Sequence, residues 1–371
     1  MKVLFLTNIP SPYRVDFFNE LGKYCDLTVL FEKQTSSERD SSWNNYKFEN
    51  LNGIFLRGIS ISTDSALCAG LGKYIKSGNY DVIICSNFSS PTGIFSVLMM
   101  KLKKIPYFLE ADGGAPKNGN GFKEWLKKRI IPGANGYFST SKSCDNYFTF
   151  YGADAENLYR YPFTSLLDTD ILKQPLPTDE KKVLRSELGI KEQTMIVSVG
   201  RFSYLNGYGK GYDTLLKVCE NLPENVGVYI IGDEPTDGFK EFKKSKKLNH
   251  LHFLPFKLKN ELFKYYRAAN LSVLLSKGEA WGLVINESMA NGTPVIATDA
   301  CVGATEIIEH GVNGYIVPVS SPESVEKCIS DYFSSNAKQE EMSAAALETI
   351  KNYTIENMAK AHIDAFQNLR M

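Results

Sequence analysis

LSVLLSKGEAWGLVINESMANGTPVIAT, residues 271–298, contains two short apolar runs joined by a glycine turn and a helical pattern. The runs 271–276 and 293–298 have the length and composition of buried strands. Between them the chain turns at Gly282, and apolar side chains then follow at helical spacing. A buried strand, a helix and a second buried strand in this order are typical of a parallel sheet covered by helices on both faces.

Similar apolar runs, separated by helical stretches, occupy both halves of the 371-residue chain. In the first half the predicted strands are 2–7, 27–31, 54–60, 81–85, 106–111 and 136–140. In the second half they are 195–200, 227–232, 250–256, 271–276, 293–298 and 314–318. Because this length exceeds what one hydrophobic core usually supports, the sequence predicts two Rossmann-like α/β domains. We expect these domains at 1–165 and 181–354, joined by a linker over the proline- and charge-rich segment 166–180.

The composition is typical of a soluble globular enzyme, with 43% hydrophobic and 23% charged residues. The 42 Lys+Arg balance the 42 Asp+Glu, which argues against a nucleic-acid-binding protein, because such proteins normally carry a basic excess. The seven cysteines form no C-x-x-C pair and the four histidines show no ligand spacing, so we expect no disulfide framework and no bound metal. The apolar runs are shorter than the roughly 20 residues of a membrane span, and MKVLFLTNIPSP loses its apolar character too early for a secretory signal. These features predict a cytoplasmic chain.

Two carboxylates flank the turn at Gly282 in a pattern that favours ligand binding. Glu279 stands where a strand has just ended, and Glu287 lies eight residues later inside the helical pattern. The start of a helix presents backbone N–H groups, which bind phosphate or sugar oxygens readily. An ionised carboxylate accepts hydrogen bonds only, so vicinal hydroxyls are suitable ligands for Glu287. Either glutamate alone would be interpreted as a solvated residue.

A second chemical pattern lies in VSVGRFSYLNGYGKGYDTLLKV, residues 197–218. Arg201 follows a predicted strand, and Lys210 precedes a predicted helix after a glycine-rich stretch. The glycine spacing matches neither a dinucleotide-binding fingerprint nor a Walker A loop. From the residues alone, the two cations either bind a charged ligand or flank a flexible surface loop.

The segment 276–318 carries the string S-x-x-E-x-x-G-L-x-x-x-E-x-M-A-x-G-x-P-V-I-A, followed by G-x-x-E and G-x-N-G. This string resembles the retaining glycosyltransferases of family 4, and V-G-R…K-G-x-D-x-L-L at 199–216 resembles a segment of the same family. The resemblance implies that Glu279 contacts the donor sugar and that Glu287 binds the ribose hydroxyls. It also implies that the backbone amides of Gly282 and Leu283 approach the sugar and the diphosphate.

The same resemblance assigns Arg201 and Lys210 to the diphosphate that leaves the donor. The segment 250–276 is similar to the part of the family that flanks the nucleotide base, where Phe256 and Lys257 are candidates for the base pocket. The implied fold, called GT-B, has two Rossmann-like domains that face each other across a cleft. The domain at 1–165 would bind the acceptor, the domain at 181–354 would bind the donor, and the final helix, 355–371, would pack back on the first domain.

The implied reaction transfers a hexose from a nucleotide-diphosphate sugar, with a uridine donor favoured, and retains the anomeric configuration. It needs no metal and no further cofactor, because the nucleotide sugar is itself a co-substrate. A bacterial subset of the family, which acts in surface polysaccharide synthesis, suggests a glycan or lipid-linked oligosaccharide as acceptor. Two alternatives remain: a non-catalytic protein of this fold that binds sugar or nucleotide, and a related enzyme such as a sugar-nucleotide epimerase.

The first half departs from the family pattern at two places. Many relatives carry a Gly-Gly loop after the first strand, whereas this chain has NIPSPYR at 8–14, as in the bacterial subset. Tyr13 and Arg14 either face the cleft or belong to a structural proline turn with a capping arginine. Relatives often place a histidine after a central strand, where this chain has FLEADGG at 108–114. Glu110 or Asp112 would there orient an acceptor hydroxyl or accept its proton.

The segment GFKEWLKKRII, residues 121–131, predicts a basic amphipathic helix. Such a helix lies either on an anionic membrane, with its aromatic side chains in the interface, or on the protein with one face in the core. The first interpretation places the protein at the inner face of the cell membrane.

Overall fold

The computed structural model describes residues 1–35, 46–116, 119 and 121–368. The chain divides into two compact units, one formed by 1–165 together with 353–371 and the other by 166–352. Each unit contains a parallel sheet with helices, which confirms the predicted pair of Rossmann-like domains. The segment 166–180, predicted as a linker, groups with the second unit. There the Leu172 N–H donates to the Ala290 carbonyl at 2.9 Å.

The first unit is built on a seven-stranded sheet and a separate two-stranded hairpin. Its strands are β1 (Lys2–Thr7), β2 (Asp26–Phe31), β3 (Asn52–Phe55), β4 (Gly58–Ser60), β5 (Ala66–Cys68), β6 (Val82–Cys85), β7 (Phe108–Glu110), β8 (Gly136–Ser139) and β9 (Leu158–Arg160). The sheet order is β3-β2-β1-β6-β7-β8-β9, and every neighbouring pair is parallel. The helices that follow its strands are α1 (Pro12–Leu21), α2 (Pro91–Leu102), α3 (Phe122–Ile130) and α4 (Lys142–Phe150).

One predicted strand of the first unit proved to be two. The stretch 54–60 contributes to β3, which joins the main sheet, and to β4, which pairs antiparallel with β5. At Gly58 an added Cβ would lie 2.5 Å from the Leu67 carbonyl oxygen, so the hairpin requires a glycine at this close approach. Strand β9 was not predicted, because its three residues are partly exposed and form no apolar run.

The second unit is built on a six-stranded parallel sheet in the order β12-β11-β10-β13-β14-β15. Its strands are β10 (Thr194–Val199), β11 (Val226–Gly232), β12 (Leu251–Pro255), β13 (Leu271–Leu274), β14 (Val295–Thr298) and β15 (Gly314–Val317). Its helices are α5 (Thr178–Glu187), α6 (Tyr212–Asn221), α7 (Asp237–Ser245), α8 (Lys259–Ala268), α9 (Leu283–Ala290), α10 (Val302–Ile307), α11 (Pro322–Tyr332) and α12 (Asn336–Ile350). The strands have the continuous Val, Ile and Leu content of a sheet that is covered on both faces, and β11 is buried along its whole length.

In both sheets the strand order reverses once. In the second unit the chain builds β10, β11 and β12 outward in one direction and then returns to place β13 on the other side of β10. In the first unit β6 returns to the free side of β1 in the same way. Ligands of open α/β sheets bind at such reversal points, outside the carboxyl ends of the strands.

The last helix, α13 (Ile355–Asn368), belongs to the first unit and packs against α1. The His362 ring lies 4.9 Å from the Phe17 ring and stacks on Phe138 at 4.5 Å between centroids. Phe366 meets the edge of Phe138 at 5.8 Å. These aromatic contacts fix α13 against both α1 and the sheet. Across the part of the chain that the structure describes, no helix is long and apolar enough to cross a membrane.

Candidate functional site

Gly282 sets the geometry at the start of α9, where the reversal point of the second sheet lies. Its φ of +95° is in the left-handed region, which an L-amino acid adopts at a cost. An added Cβ would also lie 2.9 Å from Cδ2 of Leu274, the last residue of β13. The sharp turn therefore brings the first N–H groups of α9, from Leu283 onward, to the carboxyl edge of the sheet.

Glu279 is held in the loop before this turn by its side chain and by its backbone. Its Oε2 atom accepts hydrogen bonds from Lys210 Nζ at 2.5 Å and from Ser276 Oγ at 3.3 Å. Its backbone N–H donates to the Ala300 carbonyl at 3.1 Å, and its carbonyl accepts from the Val302 N–H at 3.2 Å. Because both side chains of the Lys210–Glu279 pair stay partly exposed, the pair remains accessible to a ligand.

The loop from Gly200 to Gly211 brings its cations to the same edge. The Tyr212 hydroxyl donates to the Gly200 carbonyl at 2.9 Å, and Gly211 has a φ of +70°. An added Cβ on Gly211 would lie 1.9 Å from the Leu275 carbonyl oxygen, so no larger residue fits there. Arg201 is half-buried directly after β10, next to β13 in the sheet. The structure thus places Arg201 and Lys210 beside the Glu279 loop at the reversal point.

Asp233 is a residue of this edge that sequence reasoning missed. Its carboxylate accepts hydrogen bonds from the backbone N–H groups of Phe202 and Ser203, the latter at 3.0 Å. It therefore fixes the backbone that carries Arg201. The sequence did contain a signal for Asp233, because this residue directly follows the predicted strand that became β11. The carboxyl ends of neighbouring parallel strands meet at one edge of a sheet, so Asp233 could have been expected near Arg201.

Glu287 lies on α9, beyond the Glu279 loop. Burial and the nearby Glu287 carboxylate raise the pKa of Tyr266, which lies on α8. The Glu287 carbonyl accepts a hydrogen bond from Asn291 Nδ2 at 2.8 Å, and Asn291 Oδ1 in turn accepts from Arg267 Nε at 2.7 Å. Glu287 itself is partly exposed in the middle of α9.

Phe256 and Lys257 lie at the same carboxyl edge but on the outer strand. They follow β12, which is separated from β13 by β11 and β10. Phe256 is exposed, whereas Lys257 donates to Oε1 of Glu261, a residue of the following helix α8, at 2.6 Å. Their distance from Glu279 along the sheet agrees with a role at the far end of an extended ligand.

The first unit has a cavity of about 330 Å³ at its own reversal point, outside the carboxyl ends of β1 and β6. Tyr13, Arg14, Asp64 and Asp112 line it, together with Ile9, Ser11 and Ser65. Its remaining lining residues carry hydroxyl or amide groups: Thr7, Asn8, Ser86, Asn87, Ser89 and Ser90. The cavity is therefore polar, with the capacity to donate and accept many hydrogen bonds.

Arg14 connects this cavity to a buried charge network and does not cap a helix. It lies in the first turn of α1, whose N-cap residue is Ser11. Its guanidinium forms ion pairs with Glu110 Oε1 at 2.5 Å and with Asp112 Oδ1, which also accepts from the Tyr161 hydroxyl at 3.1 Å. Glu110, the last residue of β7, and Asp112, two residues later, were both candidates for contact with an acceptor hydroxyl. The structure places their side chains differently. Asp112 lines the cavity, whereas the Glu110 side chain is 0% exposed and does not reach a ligand.

His362 completes the network from α13. Its Nδ1 atom is 2.8 Å from the Met358 carbonyl, and its Nε2 atom is 3.0 Å from Glu110 Oε2. Since an ionised carboxylate only accepts hydrogen bonds, the Nε2 atom is the donor to Glu110, and this contact joins α13 to β7. Sequence reasoning missed this residue, because Glu110 and His362 are separated by most of the chain.

Among the described residues, no three His, Cys, Asp or Glu side chains converge in the way that a bound metal ion requires. The geometry at the two reversal points instead offers cations, helix N–H groups and a carboxylate in the second unit, and hydroxyls, amides and carboxylates in the first. The former set suits an anionic ligand with sugar hydroxyls, and the latter suits hydroxyl groups.

Comparisons with known proteins show a similarity that is concentrated in the second unit. Residues 180–349 match the family model described as glycosyl transferases group 1. A D-inositol 3-phosphate glycosyltransferase of Xylanimonas cellulosilytica is 27% identical over 242 residues, which cover 62% of this chain and 55% of that protein. The chain thus matches about half the length of such curated relatives. The second unit is thus similar to the glycosyl transferases group 1.

Solved structures match the whole chain. The Anabaena protein HepE, solved in complex with UDP, aligns with a TM-score of 0.77 at 18% identity, over 99% of this chain and 100% of that one. Sucrose-phosphate synthase from Thermosynechococcus elongatus aligns with a TM-score of 0.76 at 16% identity, over 99% and 98% of the two chains. The likeness at these low identities shows the fold, and it identifies this fold as GT-B.

Proposed function

We propose that this protein is a glycosyltransferase that moves a hexose from a nucleotide-diphosphate sugar to a hydroxyl of a second substrate. The observation that carries the proposal is the contact between Lys210 and Glu279 at the reversal point of the second sheet. A cation, a carboxylate and the N-terminus of α9 meet there, and a nucleotide sugar offers complementary groups in one molecule: a diphosphate and a ring of hydroxyls. The match of residues 180–349 to glycosyl transferases group 1 supports the same conclusion.

Each side chain has a distinct role in this proposal. Glu279 accepts hydrogen bonds from the transferred sugar, and Glu287 accepts them from the ribose. Lys210 and Arg201 stabilise the diphosphate as the glycosidic bond breaks and negative charge accumulates on it. The ammonium of Lys210 has three N–H donors, so it can hold Glu279 and a phosphate oxygen together. Cations fixed in advance stabilise developing charge at no cost of reorganisation, which is why they favour the transition state.

The proposed reaction retains the anomeric configuration, as the resemblance to family 4 implies. The departing diphosphate helps to take the proton of the acceptor hydroxyl on the same face of the sugar. No covalent protein intermediate, bound metal or further cofactor is part of this scheme. Uridine is the proposed base, and the solved complexes of HepE with UDP and with UDP-glucose support this choice. Phe256 and Lys257 are the proposed base contacts.

The proposed acceptor is a glycan or a lipid-linked oligosaccharide, bound by the first unit. The polar cavity at β1 and β6 is the proposed acceptor site, with Tyr13, Arg14 and Asp112 in its wall. The basic helix α3 supports a lipid-linked acceptor, because Phe122 and Trp125 are 74% and 52% exposed beside its cations. We therefore propose that α3 binds anionic lipid at the inner face of the cell membrane.

A nucleotide-release assay tests the proposal. The purified protein is incubated with UDP-, GDP- and ADP-hexoses and an extract of lipid-linked acceptors, and free nucleotide and the glycosylated product are measured. We expect UDP release that depends on acceptor, and a loss of about 100-fold or more in Glu279→Gln, since one fixed group at the transition state contributes that much. Glu309→Gln, an exposed glutamate of the same unit, is the matched control.

Each outcome of this assay distinguishes among the candidate classes. Nucleotide binding without release would identify a non-catalytic binding protein. Conversion of the donor to its epimer would identify an epimerase. A Glu279→Gln protein that transfers sugar at the parent rate would remove Glu279 from the mechanism. The anomeric proton of the product, observed by NMR, tests retention.

A further inference from the structure

One carboxylate that lines the cavity of the first unit has a buried oxygen that lacks a donor among the described residues. Asp64 lines the cavity, and among the described residues its Oδ1 atom has no hydrogen-bond partner. A buried acceptor without a donor has lost its hydrogen bonds to water and gained none in return, so such atoms usually have a partner. Asp64 therefore brings to the cavity lining a carboxylate whose hydrogen-bonding capacity is not filled by the described residues.

Asp64 is held in place by its surroundings. It lies in the turn that joins β4 to β5, where the Ile61 N–H donates to the Ser65 carbonyl at 3.0 Å. Lys33 Nζ donates to the carbonyls of Ser62 and Thr63 at 3.0 and 2.8 Å, and so it binds the turn to the residues after β2. These hydrogen bonds therefore hold in place the turn that carries the Asp64 carboxylate.

The rest of the cavity lining also carries negative charge, from Asp112. Arg14 is the one cation among its described lining residues, and its guanidinium already pairs with Glu110 and Asp112. The charge of Arg14 is thus matched by two carboxylates before any ligand binds. The carboxylates of Asp64 and Asp112 would repel an anionic ligand, and the already paired Arg14 would offer little attraction to compensate for this repulsion.

A third carboxylate is hydrogen-bonded to two of the residues that line the cavity. Glu32 is buried and accepts hydrogen bonds from Asn87, from Ser90 and from the Ala66 N–H, the last at 2.7 Å. Burial raises the pKa of Glu32, although these three donors oppose the rise. Asn87 and Ser90 line the cavity, and the second lone pair of each side-chain oxygen adds a hydrogen-bond acceptor to the lining.

We infer that this cavity binds an uncharged, hydroxyl-rich carbohydrate ring and discriminates against phosphorylated rings. The ring hydroxyls donate to Asp64, while the serine, threonine and asparagine groups of the wall exchange hydrogen bonds with the others. A volume of about 330 Å³ lies at the small end of ligand pockets and suits one sugar ring. This inference rests on the proposed function and specifies the acceptor class. It separates the protein from relatives whose names specify D-inositol 3-phosphate.

Saturation-transfer NMR on the full-length protein tests the inference without any nucleotide present. The probes are two matched pairs at equal concentration: myo-inositol with D-inositol 3-phosphate, and methyl glucopyranoside with glucose 6-phosphate. We expect the uncharged member of each pair to bind at least about tenfold more tightly. The phosphorylated ring lacks one hydroxyl that could donate to Asp64, and the carboxylates of the cavity repel its phosphate. Asp64→Asn should reduce the ratio of the two affinities in each pair about tenfold. Asp26 is an exposed aspartate of the same unit, and Asp26→Asn should leave this ratio unchanged.

Three results would overturn the inference: equal or tighter binding of the phosphorylated members, no binding of either uncharged ring, or an Asp64→Asn ratio equal to that of the parent. A parallel titration with UDP separates this outcome from that of the proposed function. A protein that binds UDP but neither uncharged ring contradicts the acceptor class alone. A protein that binds the rings but neither binds UDP nor transfers sugar contradicts the proposed function alone.

Discussion

Glu110 and Asp112 are two residues apart, but the structure gives them different chemistry. Burial alone would raise the pKa of Glu110, yet the charge of Arg14 and the hydrogen bond to His362 hold it below its ordinary value. For Asp112, burial raises the pKa above its ordinary value in spite of the same arginine. Asp112 is thus the stronger proton acceptor of the two and the one at the cavity. This difference favours Asp112 for contact with an acceptor hydroxyl and Glu110 for a structural role.

The structural role of Glu110 leads to a prediction about His362. Replacing His362 by leucine removes the donor to Glu110 Oε2 and leaves a fully buried carboxylate oxygen without that partner. We expect the free energy of unfolding to fall by about 2 kcal/mol or more. His362→Gln, which keeps an N–H donor of similar reach, should lose less. Urea unfolding of the three proteins checks this order, and a leucine variant as stable as the parent would contradict the assigned hydrogen bond.

At the scale of elements, α5 and α8 share a buried cation that makes stability depend on pH. Lys181 on α5 donates to the Ala269 carbonyl, at the end of α8, at 2.9 Å. Burial, together with the charge of Arg185, lowers the pKa of Lys181 from 10.5 to about 8. Between these two values the unfolded chain binds a proton that the folded chain has released. The contribution of Lys181 to stability therefore rises with pH across this window.

Lys181→Met isolates this effect, because methionine keeps much of the buried stem and cannot titrate. We expect the stability of the parent, relative to Lys181→Met, to increase by about 2 kcal/mol between pH 7.5 and pH 10. Urea unfolding of both proteins at the two pH values measures the difference. An identical difference at both values would show that Lys181 titrates in the folded protein as it does in water.

Helix α3 carries the prediction about membranes. The rings of Phe122 and Trp125 stack at 5.6 Å on the exposed side, and the Arg129 guanidinium lies 5.5 Å from the Trp125 ring. Ile130 is buried and Leu126 packs against the hydrophobic core, so α3 does have a core face, but Phe122 and Trp125 lie outside it and are exposed. Exposed aromatics beside cations are typical of helices that bind anionic lipid surfaces.

Vesicle co-sedimentation tests this surface. We expect the parent to sediment with phosphatidylglycerol vesicles and to remain in solution with phosphatidylcholine vesicles, since the cations require anionic lipid. The double variant Phe122→Ser, Trp125→Ser should lose most of this binding. The double variant Ile59→Ser, Leu67→Ser removes two exposed apolar side chains from the hairpin of the same unit and should bind as the parent does. Equal binding by the two double variants would contradict the assignment to α3.

At the scale of the whole molecule, the sequence predicts the sheets well because the signal for a buried strand is local. The runs 271–276 and 293–298 correspond to β13 and β14 within two residues at each end. The pattern of apolar residues did not predict the break between β3 and β4. The break depends on the close contact between Gly58 and the backbone of Leu67, which the spacing of apolar residues does not reveal.

Long-range contacts were beyond a single sequence for a related reason. The resemblance grouped Lys210 with Glu279, and the structure shows them in contact, although 69 residues separate them. No pattern grouped His362 with Glu110, because a histidine on an amphipathic helix is indistinguishable from an ordinary core residue until the sheet it covers is known. Asp64 was missed similarly, since its environment is formed by a hairpin turn.

The central claim is that a nucleotide diphosphate binds to the second unit beside Lys210 and Glu279. Calorimetric titration of UDP into the parent, Lys210→Met and Lys217→Met tests it most directly, because Lys217 is an exposed lysine on the neighbouring helix α6. We expect the parent and Lys217→Met to bind UDP equally, and Lys210→Met to bind at least about tenfold more weakly through the loss of a charge-assisted hydrogen bond. No binding by the parent, or unchanged affinity in Lys210→Met, would contradict the account.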